Sequence, residues 1–205
     1  MAWAGPTGTT TAMFMFTAAT GTITPIRATG RRMTPDPSLL LHQWLSPSFP
    51  VGAFSYSHGL ETAVAEGQIH DAASAQAWIA TALEHGAGLS DAILLAATWR
   101  AGAEDLPGLT ALARALAPSA ERLAEADRTG AALARALRAL HGFDLPEAPY
   151  PVVLGRAAAL ADLPLPLTLR LSLQAFAANL VSASIRLVPL GQTEGQGITL
   201  ALSPL

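Results

Sequence analysis

The sequence contains neither cysteine nor lysine in 205 residues, and all 12 basic residues are arginine. Without cysteine the chain has no disulfides, thiolate nucleophiles or cysteine zinc ligands, and a cytoplasmic location is expected. Without lysine it has no Schiff-base chemistry and no phosphate-binding lysine of a P-loop. The chain is therefore not expected to be a P-loop nucleotide hydrolase.

Charge and long apolar runs are also scarce. Charged residues make up only 13% of the chain, the net charge is -3, and no block of one sign occurs. This pattern gives no electrostatic surface for nucleic acid or anionic lipid. Apolar residues make up 51%, yet no run approaches the roughly 20 residues that span a bilayer. One domain with a sizeable core is expected, with neither nucleic acid nor a membrane as a partner.

The first 33 residues differ from the rest in being rich in threonine, with the apolar run AMFMF at 12–16. No basic residue precedes that run, so it does not resemble a signal peptide. We expect residues 1–33 to be a disordered leader, or the chain to start at Met33. Residues 34–205 are expected to form one helical domain.

Apolar spacing beyond residue 34 predicts helices almost throughout. Strand signals are nearly absent, so the predicted fold is an all-α, single-domain bundle of about seven to eight helices. Segment 167–187 is apolar on nearly every side, which predicts a central position. Expected N-caps are Ser38, Asp71 and Ser90. The predicted helices cover 38–45, 55–66, 72–100 with a division near Gly86 and Gly88, a segment around 109–116, 119–141, 153–161 and 167–187.

The spacing also assigns the apolar positions within these helices. They are Leu40, Leu41, Trp44 and Leu45 in the first helix, Trp78, Leu83, Leu89, Ile93, Ala97 and Trp99 in 72–100, Leu109, Leu112 and Leu116 in the next, and Leu123, Leu133, Leu137 and Leu140 in 119–141.

The stretch SPSFPVGAFSYSHGLE, residues 46–61, is the most unusual in the chain. Prolines and Gly52 predict a rigid turn, after which Ser55 or Ser57 caps a helix carrying His58. SYSHG also resembles the G-x-S-x-G nucleophile elbow, which would make Ser57 the nucleophile of a serine hydrolase. That elbow requires a β-sheet, which this sequence does not predict.

His58 and Glu61 stand three residues apart on the expected helix, so both could reach one metal ion. No second pair of this kind accompanies them, and a hydrogen-bonded structural histidine is the favoured interpretation. A transient nickel contact at His58 is the alternative, because imidazole suits borderline divalent ions. No stably bound cofactor is expected.

The segment SIRLVPLGQTEGQ, residues 184–196, places an arginine within an apolar helix. If Arg186 is buried it must be paired. Either it clamps a carboxylate or carbonyl group in the core, or it faces a partner. Pro189, Gly191 and Gln192 then interrupt the helical pattern.

Together these segments resemble the signatures of urease accessory proteins of the UreF type. SPSFPVGAFSYSHGLETAVAEG, at 46–67, resembles the amino-terminal signature, and LVSASIRLVPLGQTEGQ, at 180–196, resembles the carboxy-terminal one. Trp78, Asp91, the region of Arg135 and YPVVLG at 150–155 fall between them in the expected order.

The resemblance implies an all-α homodimer that is not an enzyme. It implies a metallochaperone scaffold that joins a UreD/UreH accessory protein to the GTPase UreG, modulates GTP hydrolysis and helps nickel reach apo-urease. We expect one partner surface near the UreG contact or nickel path, formed by Pro50, Gly52, Tyr56, His58, Gly59 and Glu61. A second, on the dimer or UreD/UreH side, is expected from Arg186, Gly191, Gln192 and Gln196.

Three departures from the family pattern accompany the resemblance. The threonine-rich leader is not a feature of the family. Ala134 stands where glycine is expected before R-x-L, so packing there is expected to differ. The sequence ends at Leu205, where relatives continue, and weaker binding to UreD/UreH is expected. A helical interaction module with no link to urease is the remaining alternative.

Overall fold

The computed structural model describes residues 35–52 and 58–203, and within these ranges the chain is helical and has no strand. The all-α prediction is confirmed. The prediction for residues 1–33 lies outside the described residues. The helices are α1 Pro37–Leu45, α2 Leu60–Ala65, α3 Ala72–Glu84, α4 Ala87–Arg100, α5 Leu106–Ala115, α6 Ala120–His141, α7 Tyr150–Leu160, α8 Leu165–Leu187 and α9 Gln192–Leu202.

Capping side chains set several helix starts. Asp71 caps α3 as predicted, and its carboxylate accepts a hydrogen bond from the Ser74 N–H at 2.8 Å. The cap of α1 is Asp36 and not Ser38, because the Asp36 carboxylate reaches the Ser38 N–H at 2.8 Å. Ser90 is not a cap either, because α4 already begins after Gly86 and the Ser90 hydroxyl donates to a helix carbonyl.

Helix α2 is shorter than predicted. It begins at Leu60 because His58 and Gly59 have φ angles of 51° and 81°, which place both in the left-handed region. A right-handed helix cannot continue through such residues. Gly59 is the N-cap, and neither Ser55 nor Ser57 can be assessed as one, since both lie outside the described residues.

Helices α7 and α9 also differ from the prediction. Helix α7 begins at Tyr150 because Pro151 occupies its first turn, where the missing N–H costs no hydrogen bond. Helix α9 was not predicted, because its two glycines and two glutamines interrupt any apolar period. Ile198 and Leu202 are its buried apolar side chains.

The buried side chains form two clusters. The first core joins α1, α4 to α7 and the start of α8, and the second core joins α2, α3, the second half of α8 and α9. Helix α8 contributes to both cores and contacts six other helices, which confirms its predicted central position. First-core residues include Leu41, Trp44, Leu95, Leu133, Leu137, Val152 and Leu154. Second-core residues include Leu60, Ile69, Ile79, Leu180, Val181, Ile198 and Leu202.

Of the side chains assigned to apolar positions by their spacing, Leu41, Trp44, Leu133 and Leu137 are fully buried, whereas five others are exposed. Leu89 and Ile93 of α4 are 45% and 59% accessible, and Leu112 and Leu116 of α5 are 48% and 52% accessible. Leu140 of α6 is 58% accessible. Their spacing fits one helix face, but other faces of the same helices pack inward. No helix in the described ranges has the length and apolar character needed to cross a membrane.

Candidate functional site

A network of partly buried ionisable side chains lies between the two cores. His58 precedes α2, Asp91 lies on α4, and Arg122 and Glu125 lie one turn apart on α6. His58 Nε2 is 3.5 Å from Glu125 Oε1, and the two side chains are only 11% and 12% accessible. Arg122 Nη1 lies 3.5 Å from Glu125 Oε2, and its Nη2 donates to Asp91 Oδ2. Four residues from three parts of the chain thus share one charged cluster.

Burial controls the protonation of this network. It lowers the pKa of His58 to about 4, and the positive charge of Arg122 adds to that effect. Burial raises the pKa of Glu125 to about 7, against the attraction of Arg122 and with support from the Asp91 charge. It also raises the pKa of Asp91. Near neutral pH His58 is therefore an uncharged imidazole beside a carboxyl group that readily holds a proton.

His58 does not share a helix face with Glu61. The His58 ring packs edge-on against Phe176 of α8, with 4.8 Å between ring centroids, and its partner is Glu125. Glu61 is exposed in the first turn of α2. These contacts support the interpretation of His58 as a structural histidine. The expectation that His58 and Glu61 stand together on one helix is wrong. The described residues contain no group of three or more metal-ligating side chains.

The amino-terminal signature forms a turn whose first half packs on the first core. Phe49 is buried there, while Pro50 is exposed. Gly52 has a φ of 73°, so this turn requires a residue that tolerates the left-handed region. Tyr56 and Ser57 lie outside the described residues. The described part of the chain has no strand, so it supplies no sheet of the kind that a nucleophile elbow at Ser57 needs.

The carboxy-terminal signature places most of its polar side chains in solvent, with Ser184 as a buried exception. Arg186 is exposed and donates to Ser182 Oγ at 2.9 Å, so the alternative of a clamp inside the core is wrong. Gly191 caps α9, and its N–H donates to Glu194 Oε2 at 2.7 Å. Gln192 and Gln196 are exposed on α9.

The two signatures share the second core. Leu60 from the first signature and Leu180 from the second are both fully buried in it. Gly195 of the second signature is buried because α9 lies so close to Ile185 of α8 that a methyl group there would collide with that side chain. The structure thus unites the apolar parts of both signatures and leaves several of their polar residues exposed.

Asp91, Arg122 and Glu125 were not predicted as site residues. Asp91 and Arg122 are separated by 31 positions, and nothing in their local sequence indicates a contact between them. Arg122 and Glu125 do stand three apart on a helix, but such pairs are common on solvated faces. Only the tertiary structure, which brings Asp91 of α4 and His58 to this part of α6, distinguishes this pair.

Ala134, where the family pattern led us to expect glycine, is buried in the first core with 1% exposure. The close approach on α6 occurs instead at Gly130. An added methyl group there would collide with the Ala148 carbonyl oxygen.

Comparison with known proteins identifies the family. The UreF family model matches residues 69–203. The protein named urease accessory protein UreF from Cereibacter sphaeroides strain KD131 is 60% identical over 167 residues, covering 82% of this chain and 79% of the relative. Proteins of that name from Roseobacter denitrificans and Ruegeria pomeroyi are 55% and 48% identical, covering 84% and 82% of this chain and 78% and 77% of their own.

The match to the Cereibacter protein includes the amino-terminal signature. Any continuous stretch of 167 residues in a chain of 205 includes residues 46–61, so the amino-terminal signature belongs to the shared region. The relatives carry the name of an accessory protein and not of an enzyme. The chain belongs to the UreF family of urease accessory proteins.

Proposed function

We propose that this chain is a non-enzymatic scaffold for nickel insertion into apo-urease, acting as a homodimer in the cytoplasm. It joins a UreD/UreH accessory protein to the GTPase UreG, modulates GTP hydrolysis by UreG and contacts nickel only in passing. The observation that carries this proposal is membership of the UreF family. The exposure of polar signature residues supports it, because a docking surface must be accessible.

The surface proposed for UreD/UreH or a second copy lies on α9 and the end of α8. Gln192, Gln196 and Leu200 follow one another at four-residue intervals and are exposed, Leu200 by 76%. Residues four apart lie on one helix face. Arg186 and Gly191 lie at the junction of the two helices. A helix face that combines an exposed leucine with glutamines, and has an arginine nearby, has side chains of the kinds found in protein interfaces.

The surface proposed for UreG is the turn before α2. Pro50 and Glu61 are exposed on it, and Tyr56 lies within the same segment. Its described left-handed residues are Gly52, His58 and Gly59. His58 positions the turn through its contact with Glu125. Its uncharged ring is the form that binds a metal ion. A transient nickel contact would therefore require His58 to exchange Glu125 for the ion.

Reconstituted urease activation tests the proposal. Apo-urease, UreD/UreH, UreG, nickel and GTP are combined with and without this chain, and urea hydrolysis and GTP turnover are measured. We expect urease activity to depend on the chain and GTP turnover to change when it is added. Equal activation without the chain would contradict the proposal.

Co-purification separates the scaffold from the alternative of a helical module with no urease link. Tagged chain is mixed with purified UreG and UreD/UreH, singly and together. Retention of both proteins in one complex is expected. Failure to retain either protein would favour the unrelated module.

A further inference from the structure

A cavity of about 510 Å³ opens between α5, the segment joining α6 to α7, and α7. It lies on the first core, away from both signature segments. Leu106, Pro107, Leu145 and Pro146 give it apolar walls, and Arg156 of α7 lines it as well. Its volume falls in the range of pockets that take small organic groups.

Arg156 has no partner within the described ranges. Its side chain is partly buried, and its Nε is shielded from solvent without a hydrogen-bond acceptor in those ranges. No carboxylate of the described residues lies within ion-pair distance of it. The two Nη groups are not shielded in this way and make no hydrogen bond or ion pair in those ranges. A guanidinium presents its donors in a fork that fits a carboxylate.

The other charges around the cavity are already engaged, with one exception. Arg114 Nη2 is 3.1 Å from Asp127 Oδ1, and Glu147 Oε1 is 3.4 Å from Arg138 Nη1. The exception is Asp144, which is exposed at the rim and forms no ion pair with Arg156. Arg156 is thus the cation in the cavity that is left without compensation.

We propose that this cavity binds a carboxylate carried on a compact apolar group, with the Arg156 guanidinium as the clamp. The apolar walls contact the group that carries the carboxylate, and the guanidinium supplies two parallel N–H donors. The carboxylate comes either from a small free acid or from a polypeptide end. The inference is independent of the urease partners, since neither signature contributes to the cavity.

The direct test uses the arginine Nε–Hε resonances of the full chain labelled with ¹⁵N. The protein is titrated with sodium 4-methylpentanoate and, separately, with the uncharged 4-methylpentanamide. We expect a saturable shift of the Arg156 resonance with the acid and none with the amide. No saturable shift with the acid, or equal shifts with both compounds, would overturn the proposal.

A peptide arm distinguishes the two sources of the carboxylate. Acetyl-Ala-Leu with a free carboxyl end is compared with the same peptide amidated. Binding of the free-ended peptide, tighter than that of the small acid, assigns the cavity to a polypeptide end. Equal or weaker binding than the small acid assigns it to a free acid. Equal shifts from both peptides would count against the carboxylate clamp.

Three variants define the role of each charge. Arg156→Gln should weaken binding of the acid about tenfold, because the clamp is lost. Asp144→Asn should strengthen it about twofold, because a nearby like charge is removed. Arg170→Gln, an exposed arginine of α8, is the matched control and should leave affinity unchanged.

The variants also contain outcomes that contradict the clamp. Wild-type affinity in Arg156→Gln would overturn the assignment. If that variant does not fold, Arg156→Lys keeps the charge without the fork and should still weaken binding severalfold. Unchanged affinity in Arg156→Lys would reject the forked contact, and the comparison of acid with amide on the unaltered chain needs no variant at all.

Discussion

The two cores of this molecule are built differently. In the first core, the long helix α6 has a side-chain cap at Ser119 and presents the fully buried Leu133 and Leu137. In the second core, α2 has only six residues, and neither α2 nor α9 has a side-chain cap on its own N-cap residue. Both signature segments contribute to the second core. We infer that the first core supplies most of the stability and the second positions the proposed docking surfaces.

The largest expected effect is on the first core. Leu137→Ala should lower the free energy of unfolding by about 3 to 4 kcal/mol, because Leu137 is fully buried and the cavity cannot close completely. Leu140→Ala on the same helix is the control and should change it by less than about 0.5 kcal/mol, since Leu140 is 58% exposed. Urea unfolding measures both. Equal losses would show that α6 buries a different face.

The network between the cores gives the next effect, which depends on pH. Between pH 4.5 and 6.5 an unfolded chain holds a proton on His58 and none on Glu125. The folded chain holds it on Glu125, because the pKa values are about 4 for His58 and about 7 for Glu125. The number of bound protons from this pair is the same in both states. The pair should therefore add almost no pH dependence to the stability of the unaltered protein.

Removing one member of the pair should reveal the other. In Glu125→Gln, the free energy of unfolding keeps its full value above pH 6.5. The lowered pKa of His58 then reduces it by about 3 kcal/mol as the pH falls toward 4. In His58→Gln, the free energy of unfolding keeps its full value below pH 4.5. The raised pKa of Glu125 then reduces it by about 3 kcal/mol as the pH rises to 7 and above. The two variants should have opposite slopes.

Urea unfolding at a series of pH values from 4.5 to 7.5 measures these slopes. The pKa of Asp91 is also raised, so Asp91 lowers the free energy of unfolding as the pH rises. This decrease is the same in all three proteins and cancels in the comparison. Parallel profiles for the two variants and the unaltered protein would show that the network is solvated and not buried.

A smaller effect is expected in the second core. Gly195→Ala should cost about 1 to 2 kcal/mol, because the new methyl group meets the side chain of Ile185, which can move only in part. Gly197→Ala on the same helix meets nothing within 4 Å and should stabilise by about 0.5 to 1 kcal/mol through helix propensity.

Hydrogen exchange locates the effect of Gly195→Ala. Amide protection should fall in α9 and the end of α8 while the first core keeps its protection. A uniform loss across both cores would show that they unfold as one unit and would remove the distinction between them.

The smallest effect on stability is expected at Arg186. Arg186→Ala should change the free energy of unfolding by less than about 0.5 kcal/mol, because the side chain is exposed. Under the proposed function, the same change should weaken binding to UreD/UreH or to a second copy by about 2 kcal/mol. Calorimetry and sedimentation measure the two binding events, with Arg170→Ala as the control. Unchanged affinity in both would remove Arg186 from the docking surface.

Local sequence determined much of the fold. The Asp71 cap, the division near Gly86 and the extent of α6 were all predicted, because capping and helical periodicity depend on neighbours within a few residues. The two signature segments were sufficient to indicate the family. The described exposed residues of the proposed surfaces, such as Gln192 and Gln196, were also named from sequence.

Tertiary structure alone decided which faces are buried and which charges meet. Periodicity assigned Leu89 and Ile93 to apolar positions, yet both are exposed, because α4 buries another face that carries Leu94 and Leu95. It put His58 on a helix beside Glu61, whereas the left-handed backbone brings His58 to Glu125, 67 positions away. A sequence pattern reports the neighbours along one helix, and burial depends on which distant helix lies opposite.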